Sequence, residues 1–391
     1  MSKMEFCDLH IQYNLIKKEI HSRIDRVLEH KAFINGPEIE ELEKTLKDFL
    51  GSKHAIAVSS GTDGLLVPLL ALNIGEGDYV ITTPFTFAAN VEAILLLKAK
   101  PLFIEIDSRT YNLDPLKLEE LFNNLRDPST NEHINIEKVK AIIPVDLYGQ
   151  PCDYDFIKKA INGRDIPIIE DFAQAFGSSY KGKMAGTLGM VGVTSFFPSK
   201  PLGGYGDGGM IFTDDQNLAD NMRLIRNHGQ KGRYNHELLG SNFRMDTIQA
   251  AIILAKFELF HKEMKLRNDV AKKYNHKIKE IENSDKIIIP FVEEFCSSSF
   301  AQYTIRVGER DKLKDYLVSE KIPVSVHYPK PIYMQKAFSK LGYKLGDFPI
   351  AEIVSSEVIS LPFDPYKTEE EINLVCSKIN DFFEKSLAFS E

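Results

Sequence analysis

Apolar residues recur at helical spacing through the first fifty positions. Ile16, Ile20, Ile24, Val27 and Leu28 form one such series. Ile39, Leu42, Leu46, Phe49 and Leu50 form a second, with Pro37 near its start and Gly51 just past its end. Two amphipathic helices are predicted. The period then changes. Short apolar runs follow: "HAIAV" (54–58), "YVITT" (79–83), "PLFIEI" (101–106), "KAIIPV" (140–145), "IPIIE" (166–170), "GVTSFF" (192–197) and "GMIFT" (209–213). Helical stretches lie between most of them. Several runs are apolar nearly throughout, as strands are when both faces of a sheet are covered. The pattern predicts an α/β domain around a mostly parallel sheet. After about Asp246 a long helical stretch runs to about Glu282. "QYTIRVG" (302–308), a helix near 310–320, "IPVSV" (322–326) and a last helix near 367–384 predict a smaller α+β domain. The expected division is a large domain over 1–250 and a small one over 251–391.

Composition narrows the function classes. A chain of 391 residues is more than one core usually organises, in keeping with two domains. A net charge of −8 argues against a general nucleic-acid binder. It leaves room for an anionic small molecule, because local fields decide that. No apolar run reaches the ~18 residues of a membrane span, and "MSKMEFCDLH" lacks the apolar core of a signal peptide. Cys7, Cys152, Cys296 and Cys376 form no CxxC pair. Neither a metal site nor a disulfide framework is expected, and a reducing cytoplasm fits.

In open parallel sheets, ligands bind beyond the carboxyl ends of the strands. After the first predicted strand comes "SSGTDG" (59–64). Small residues at a helix start present free N–H groups that suit a phosphate; a merely capped turn reads the same way. The Walker lysine is missing, so this is no ATP-type loop. After the fifth strand, Glu170 and Asp171 point to opposite faces, and one of them should reach the cleft. In "TSFFPSKPLGGYGDGGM" (194–210), Lys200 is the only charge before Asp207. Partial desolvation among Phe, Pro and Leu would lower its pKa and free its amine for imine chemistry. The glycines around it would let backbone approach a flat cofactor. Gly204, Gly206 and Gly209 spell GxGxxG, but a strand rather than a helix follows, so no dinucleotide site is expected. A phosphate-capable helix start, a buried acid and a desolvated lysine are together what pyridoxal phosphate requires.

"SSGTDGL", "TTPFTFAAN", "VDLYGQPCD", "IIEDFAQAFGSSYKGK" and "SFFPSKPLGGYGDGGMIFTDD" resemble the DegT/StrS nucleotide-sugar aminotransferases, enzymes of PLP fold type I. The resemblance covers nearly the whole chain in order. It implies that Lys200 is the cofactor lysine and proton shuttle. Asp171 would pair with the pyridine nitrogen, and Gln174 would lie near the ring hydroxyl. Gly61, Thr62 and Ser195 would hold the phosphate. Phe87 would stack on the ring, and Asn242 would reach the phosphate in a neighbouring subunit. A homodimer with shared active sites follows by resemblance only. Three positions depart from the family pattern: Gly64 and Phe172 stand where alanine is common, and Asp146 where histidine or serine is. Phe172 and Asp146 are expected to reshape the pocket.

Within the family, "HGQ..RY.H", "GSN.R.DT", "AQYT.R" and "HYP.P" resemble the branch that aminates the 3-keto form of UDP-N-acetylglucosaminuronic acid. That implies L-glutamate as donor, a UDP-sugar acceptor with a C6 carboxylate, and a place in surface polysaccharide synthesis. Arg244 and His327, with Tyr328 beside it, are then candidates for the carboxylate; an ordinary ion pair and a satisfied core histidine remain open for the first two. The loop 226–240 offers His228, Lys231, Arg233 and Tyr234 to a diphosphate, or is a solvated connection. The rivals are C4 amination of a 4-keto-6-deoxy sugar, a PLP sugar dehydratase and a non-catalytic ligand sensor. Dehydratases of this fold carry histidine at the lysine position, and Lys200 argues against one.

Overall fold

The computed structural model describes residues 4–388. Both N-terminal helices form, as α1 (His10–His30) and α2 (Pro37–Leu50). Pro37 sits in the first turn of α2, and Gly51 ends it with φ +77°, a conformation that costs glycine little. Strands and helices then alternate: β1 (His54–Val58), α3 (Gly61–Ala71), β2 (Tyr79–Thr82), α4 (Ala88–Leu96), β3 (Lys100–Phe103), α5 (Pro115–Asn123), β4 (Val139–Ile142), α6 (Tyr154–Ile161) and β5 (Ile169–Asp171). A short hairpin, β6 (Ser179–Tyr180) and β7 (Lys183–Met184), precedes β8 (Val191–Ser195), β9 (Gly209–Thr213) and α7 (Gln216–Arg226).

Two strand groups, β1-β9-β8-β5 and β3-β2-β4, make the large sheet. They meet through single parallel bridges, Ile142 to Ile168 and Val145 to Asp171. Every pairing in it is parallel except those of β9. The reason is the 196–208 connection, which has no helix to carry a parallel crossover, so the chain must double back. Alternate residues of β1 face opposite cores. Ile56 and Val58 pack with α3, α4 and α7, whereas Ala55 and Ala57 pack with α2 and residues 250–260. Both faces are therefore covered, as the apolar strands require.

The helix α8 (Thr247–Lys279) has 33 residues, about 50 Å of helix. Its apolar residues divide. Ala250, Ile253, Leu254 and Phe260 join the large-sheet core, while Val270, Ala271, Tyr274 and Ile278 join a second core. That second core is built on β10 (Ile287–Ile288), β12 (Tyr303–Val307) and β13 (Val358–Leu361), an antiparallel sheet covered by α9 (Arg310–Ser319) and α11 (Glu369–Ala388). Between them, β11 (Cys296–Ser297) returns to pair with β6, and α10 (Pro349–Glu357) precedes β13.

Two expectations fail here. The segment 322–326 is no strand; it meets β13 only at Ser325–Ser360, because Pro323 has no N–H for a ladder. "VISL" (358–361), not predicted, is the buried strand instead. The four cysteines are free thiols. Among the described residues no helix is long and apolar enough to cross a membrane.

Candidate active site

The turn from β1 to α3 leaves donors open. Ser60 is the N-cap, and its hydroxyl accepts the Asp63 N–H at 3.1 Å. The Gly64 N–H reaches the Ser60 carbonyl at 3.0 Å. The Gly61 and Thr62 N–H groups have no acceptor among the described residues. Ser195, the last residue of β8, closes the other side: a Cβ on Gly61 would lie 2.8 Å from the Ser195 Cβ. A Cβ on Gly209 would lie 2.5 Å from the Ser60 carbonyl oxygen. The two glycines thus let three chain segments converge on a cradle of free N–H groups and a serine hydroxyl. A phosphate fits that cradle, with the helix N-terminus adding its partial positive charge.

Glu170 and Asp171 do point opposite ways. The Glu170 carboxylate is fully buried and accepts the Gly186, Leu188 and Gly189 N–H groups at 2.6, 2.8 and 3.3 Å. Asp171 is the one at the site. Burial raises its pKa, opposed by the Ala173 N–H, by Asn90 and by the charge of Lys200. Asn90 was given no role in the sequence reading, although it stands in "TTPFTFAAN". It is 1% exposed, donates to Thr86 Oγ1 at 2.9 Å, and leaves its own amide oxygen without a partner. An amide on the first turn of a mostly apolar helix was the available signal.

Lys200 lies on the turn after β8, with its N–H bonded to the Phe197 carbonyl at 2.9 Å. Burial lowers the pKa of its amine, and Asp171 opposes the shift. The two groups thus act on each other's charge. The surrounding glycines are packed closely against the rest of the protein. A Cβ on Gly203 would meet the Pro198 carbonyl at 2.4 Å, and one on Gly204 or Gly206 would meet the Gln249 amide at 2.6 or 2.4 Å. They fold the lysine loop against itself and against α8. The GxGxxG lookalike runs into β9, with no helix.

Aromatic and amide groups flank this centre. Gln174 accepts the Tyr148 N–H at 2.7 Å and donates to the Tyr328 hydroxyl at 3.2 Å. Phe87, exposed at the start of α4, has its ring 6.2 Å from that of Tyr328. His327 is engaged at both nitrogens, with Ser360 Oγ at 2.9 Å and Ser325 Oγ at 3.4 Å. Burial, then Lys200, push its pKa down to about 4. It is a neutral imidazole and offers a carboxylate no charge.

Among the remaining expected residues, Asn242 and Arg244 flank Phe243, whose carbonyl accepts the Ser59 N–H at 2.9 Å beside the turn into α3. Arg244 donates Nη1 to Asn227 Oδ1 at 2.6 Å and keeps a buried Nε without a partner. Asn242 is exposed and pairs with Asn227 across a bridge. His228, Lys231, Arg233 and Tyr234 are all exposed. Their contacts are local: the His228 carbonyl with His236, Lys231 with Glu237 at 3.5 Å, Arg233 over the Tyr234 ring at 5.1 Å. Phe172 and Asp146 are both fully buried and do not shape the pocket. Phe172 packs on Phe176 and Phe212, and Asp146 accepts the Cys152 N–H and the Tyr154 hydroxyl. The missing methyl at Gly64 has a packing reason, since a Cβ there would lie 2.7 Å from Val193 Cγ1.

Residues 14–380 match the model of the DegT/DnrJ/EryC1/StrS aminotransferase family. The chain is 44% identical to the UDP-2-acetamido-2-deoxy-3-oxo-D-glucuronate aminotransferase of Pseudomonas aeruginosa, over 97% of this chain and 100% of that one. It is similar in structure to a DegT DnrJ EryC1 StrS aminotransferase from Brucella abortus, with a TM-score of 0.89 and 36% identity over 97% and 99% of the two chains. The crystal structure of NtdA from Bacillus subtilis with bound cofactor PMP superposes with a TM-score of 0.86 at 28% identity, over 97% of this chain and 86% of that one.

Proposed function

The chain belongs to the DegT/DnrJ/EryC1/StrS aminotransferase family, and from that premise we propose that it moves an amino group from L-glutamate to C3 of UDP-2-acetamido-2-deoxy-3-oxo-glucuronic acid. It is an aminotransferase, and pyridoxal phosphate is its cofactor. The observation that carries the reading is the pairing of a desolvated Lys200 with a buried Asp171, each acting on the other's charge at the carboxyl end of the sheet.

When bound, the cofactor supplies an aldehyde for the amino group and a ring that stores the electron pair released at the reacting carbon. The chain's residues do the rest. Gly61, Thr62 and Ser195 hold the phosphate. Asp171, kept in place by Asn90 and the Ala173 N–H, holds a proton on the ring nitrogen. Lys200 Nζ, its pKa lowered by burial, favours its neutral form with a free electron pair. It takes the proton from the donor's α-carbon and returns one to C3 of the acceptor. Phe87, with its ring 6.2 Å from that of Tyr328, would stack on the cofactor ring.

For the acceptor, Arg244 has donors to spare beyond Asn227, which suits a C6 carboxylate. His327 contributes at most a neutral hydrogen bond. The exposed loop with Tyr234, 78% accessible, and Leu239, 85% accessible, adjoins the exposed Asn242. That supports a homodimer in which Asn242 serves the partner's site.

The test is an absorbance spectrum of the cofactor-loaded protein. L-Glutamate should bleach its visible band, and the 3-keto uronic acid should restore it. Recovery with a 4-keto-6-deoxy sugar alone would move the amination to C4. Absence of any response to amino acids would remove transamination.

A further inference from the structure

Tyr148, in the turn after β4, has entered the site only as a partner of Gln174. Its backbone lies in the left-handed region, with φ +56° and ψ 2°. That conformation is costly for a residue with a Cβ, and it persists where surrounding contacts over-determine it. Here three polar groups do so. The Tyr148 N–H donates to Gln174 Oε1 at 2.7 Å, its carbonyl accepts the Ala301 N–H at 2.9 Å, and its hydroxyl donates to the His327 carbonyl. The ring meets that of Tyr111 edge-on at 6.0 Å. His327 is held a second time through its ring, by Ser360 Oγ at 2.9 Å, which itself lies 2.8 Å from Thr304 Oγ1. One residue after β4 thus fixes the segment that carries Tyr328.

These bonds also fix a direction. A backbone N–H can only donate, so the Gln174 amide oxygen must face Tyr148. The amide nitrogen then faces Tyr328 and donates to its hydroxyl oxygen at 3.2 Å. Turning the amide round would set its N–H groups against the Tyr148 N–H. The Tyr328 hydroxyl accepts in this arrangement, and its own proton is left to give. Among the described residues none takes it. Burial holds the Tyr328 pKa well above the usual tyrosine range, so the proton stays on at neutral pH, and the charge of Asp171 reaches this hydroxyl.

We propose that Tyr148 is a positioning residue: by setting the Gln174 amide and holding the His327–Tyr328 segment, it turns the Tyr328 hydroxyl proton toward an electron-rich oxygen at the amino-transfer site. The inference rests on the transamination reading.

The test is a cycle of Tyr148→Phe, Tyr328→Phe and the double variant, all cofactor-loaded. Tyr148→Phe keeps the ring and the N–H bond and removes only the hold on the His327 carbonyl. With saturating 3-keto uronic acid, recovery of the visible band should slow about tenfold or more in Tyr148→Phe, because a displaced proton donor loses its alignment. Tyr328→Phe should slow it at least as much, and the double variant no further than Tyr328→Phe. A Tyr148 that merely supports the fold would slow both backgrounds alike; that result, or the parent's rate in Tyr148→Phe, overturns the proposal. Before any substrate is added, the pH midpoint of the visible band identifies the receiving oxygen. A rise of equal size in all three variants assigns it to the cofactor, since an anionic oxygen that loses a donor holds its counter-proton more tightly. An unchanged midpoint with slowed recovery assigns it to the acceptor sugar. A rise in Tyr148→Phe that grows in the double variant overturns the proposal. If the parent reacts with no amino acid, transamination itself fails and the midpoint alone judges: an equal rise in all three variants upholds the alignment, and no rise in Tyr148→Phe overturns it.

Discussion

Lys200 is the residue on which the chemistry turns, and its surroundings decide its state. Burial makes the charged ammonium unfavourable, and Asp171 restores part of what is lost. Lys200→Ala should abolish both the visible band and turnover, by 10³-fold or more on the order expected for a lost proton-transfer group. Normal turnover in that variant would remove the mechanism. Asp171→Asn keeps the shape and deletes the charge. Its kcat should fall roughly 10²–10⁴-fold while the protein still binds cofactor. Activity near that of the parent would mean another group protonates the ring. Asn90→Ala should shift the pH at which the bound cofactor's spectrum changes, because the Asp171 carboxylate loses a donor.

Among the elements, α3 shows how a helix and a sheet share one site. Its N-terminus carries the phosphate cradle, and its second turn must lie flat on β8. Helix propensity alone favours alanine over glycine by about 1 kcal/mol. At Gly64 the close approach of Val193 Cγ1, a stiff side chain in a filled core, outweighs that gain. Gly64→Ala should therefore lower stability, since overpacking costs about 1–3 kcal/mol. Adding Val193→Ala should recover part of the loss. Denaturant midpoints of the single and double variants test this, and a Gly64→Ala protein more stable than the parent would contradict it. The lysine loop makes the same point. Its glycines are legible as a cluster in the sequence, but their neighbours, Gln249 on α8 and Pro198, come from the fold.

At the scale of the whole molecule, the seam between the two halves of the large sheet is thin. It rests on two isolated bridges, with the Ile142 N–H on the Pro167 carbonyl at 3.0 Å, the Asp171 N–H on the Pro144 carbonyl at 3.0 Å and the Asp146 N–H on the Asp171 carbonyl at 2.9 Å. Beside it lie two buried carboxyls, Asp146 and Glu170, each acting on the other's ionisation. Burial raises both, with Glu170 pushed up to about 7. Folding thus binds protons that the unfolded chain releases. The stability these groups contribute is full below the ordinary carboxylate range and is lost as pH rises through 7. Asp146→Asn keeps the acceptor for Cys152 and Tyr154 and replaces an unpartnered oxygen with a donor. It should raise stability at pH 8 by roughly 1–3 kcal/mol and flatten the decline between pH 5 and 8. Urea unfolding across that range decides; an unchanged slope would show that the pair does not titrate there.

Local pattern alone determined a good deal. The 3.6 period located α1 and α2, because it reports which face meets a core, and short runs apolar nearly throughout located all the strands of the large sheet, because both its faces are covered. Lys200 stood out because its neighbours could not solvate it, and the cradle at Gly61 because small residues followed a strand. Other features were decided only when the chain closed on itself. Which of Glu170 and Asp171 faces the site depends on the backbone donors at 186–189. Phe172 and Asp146 went into the core, not the pocket. Pro323 withheld a strand from 322–326, and "VISL" took the place in the sheet. Lys256 and Arg267 carried no signal in the sequence; only the packing of α8 against residues 7–12 and 364–366 buried them, since the cost of a charge depends on what surrounds it in space and not along the chain.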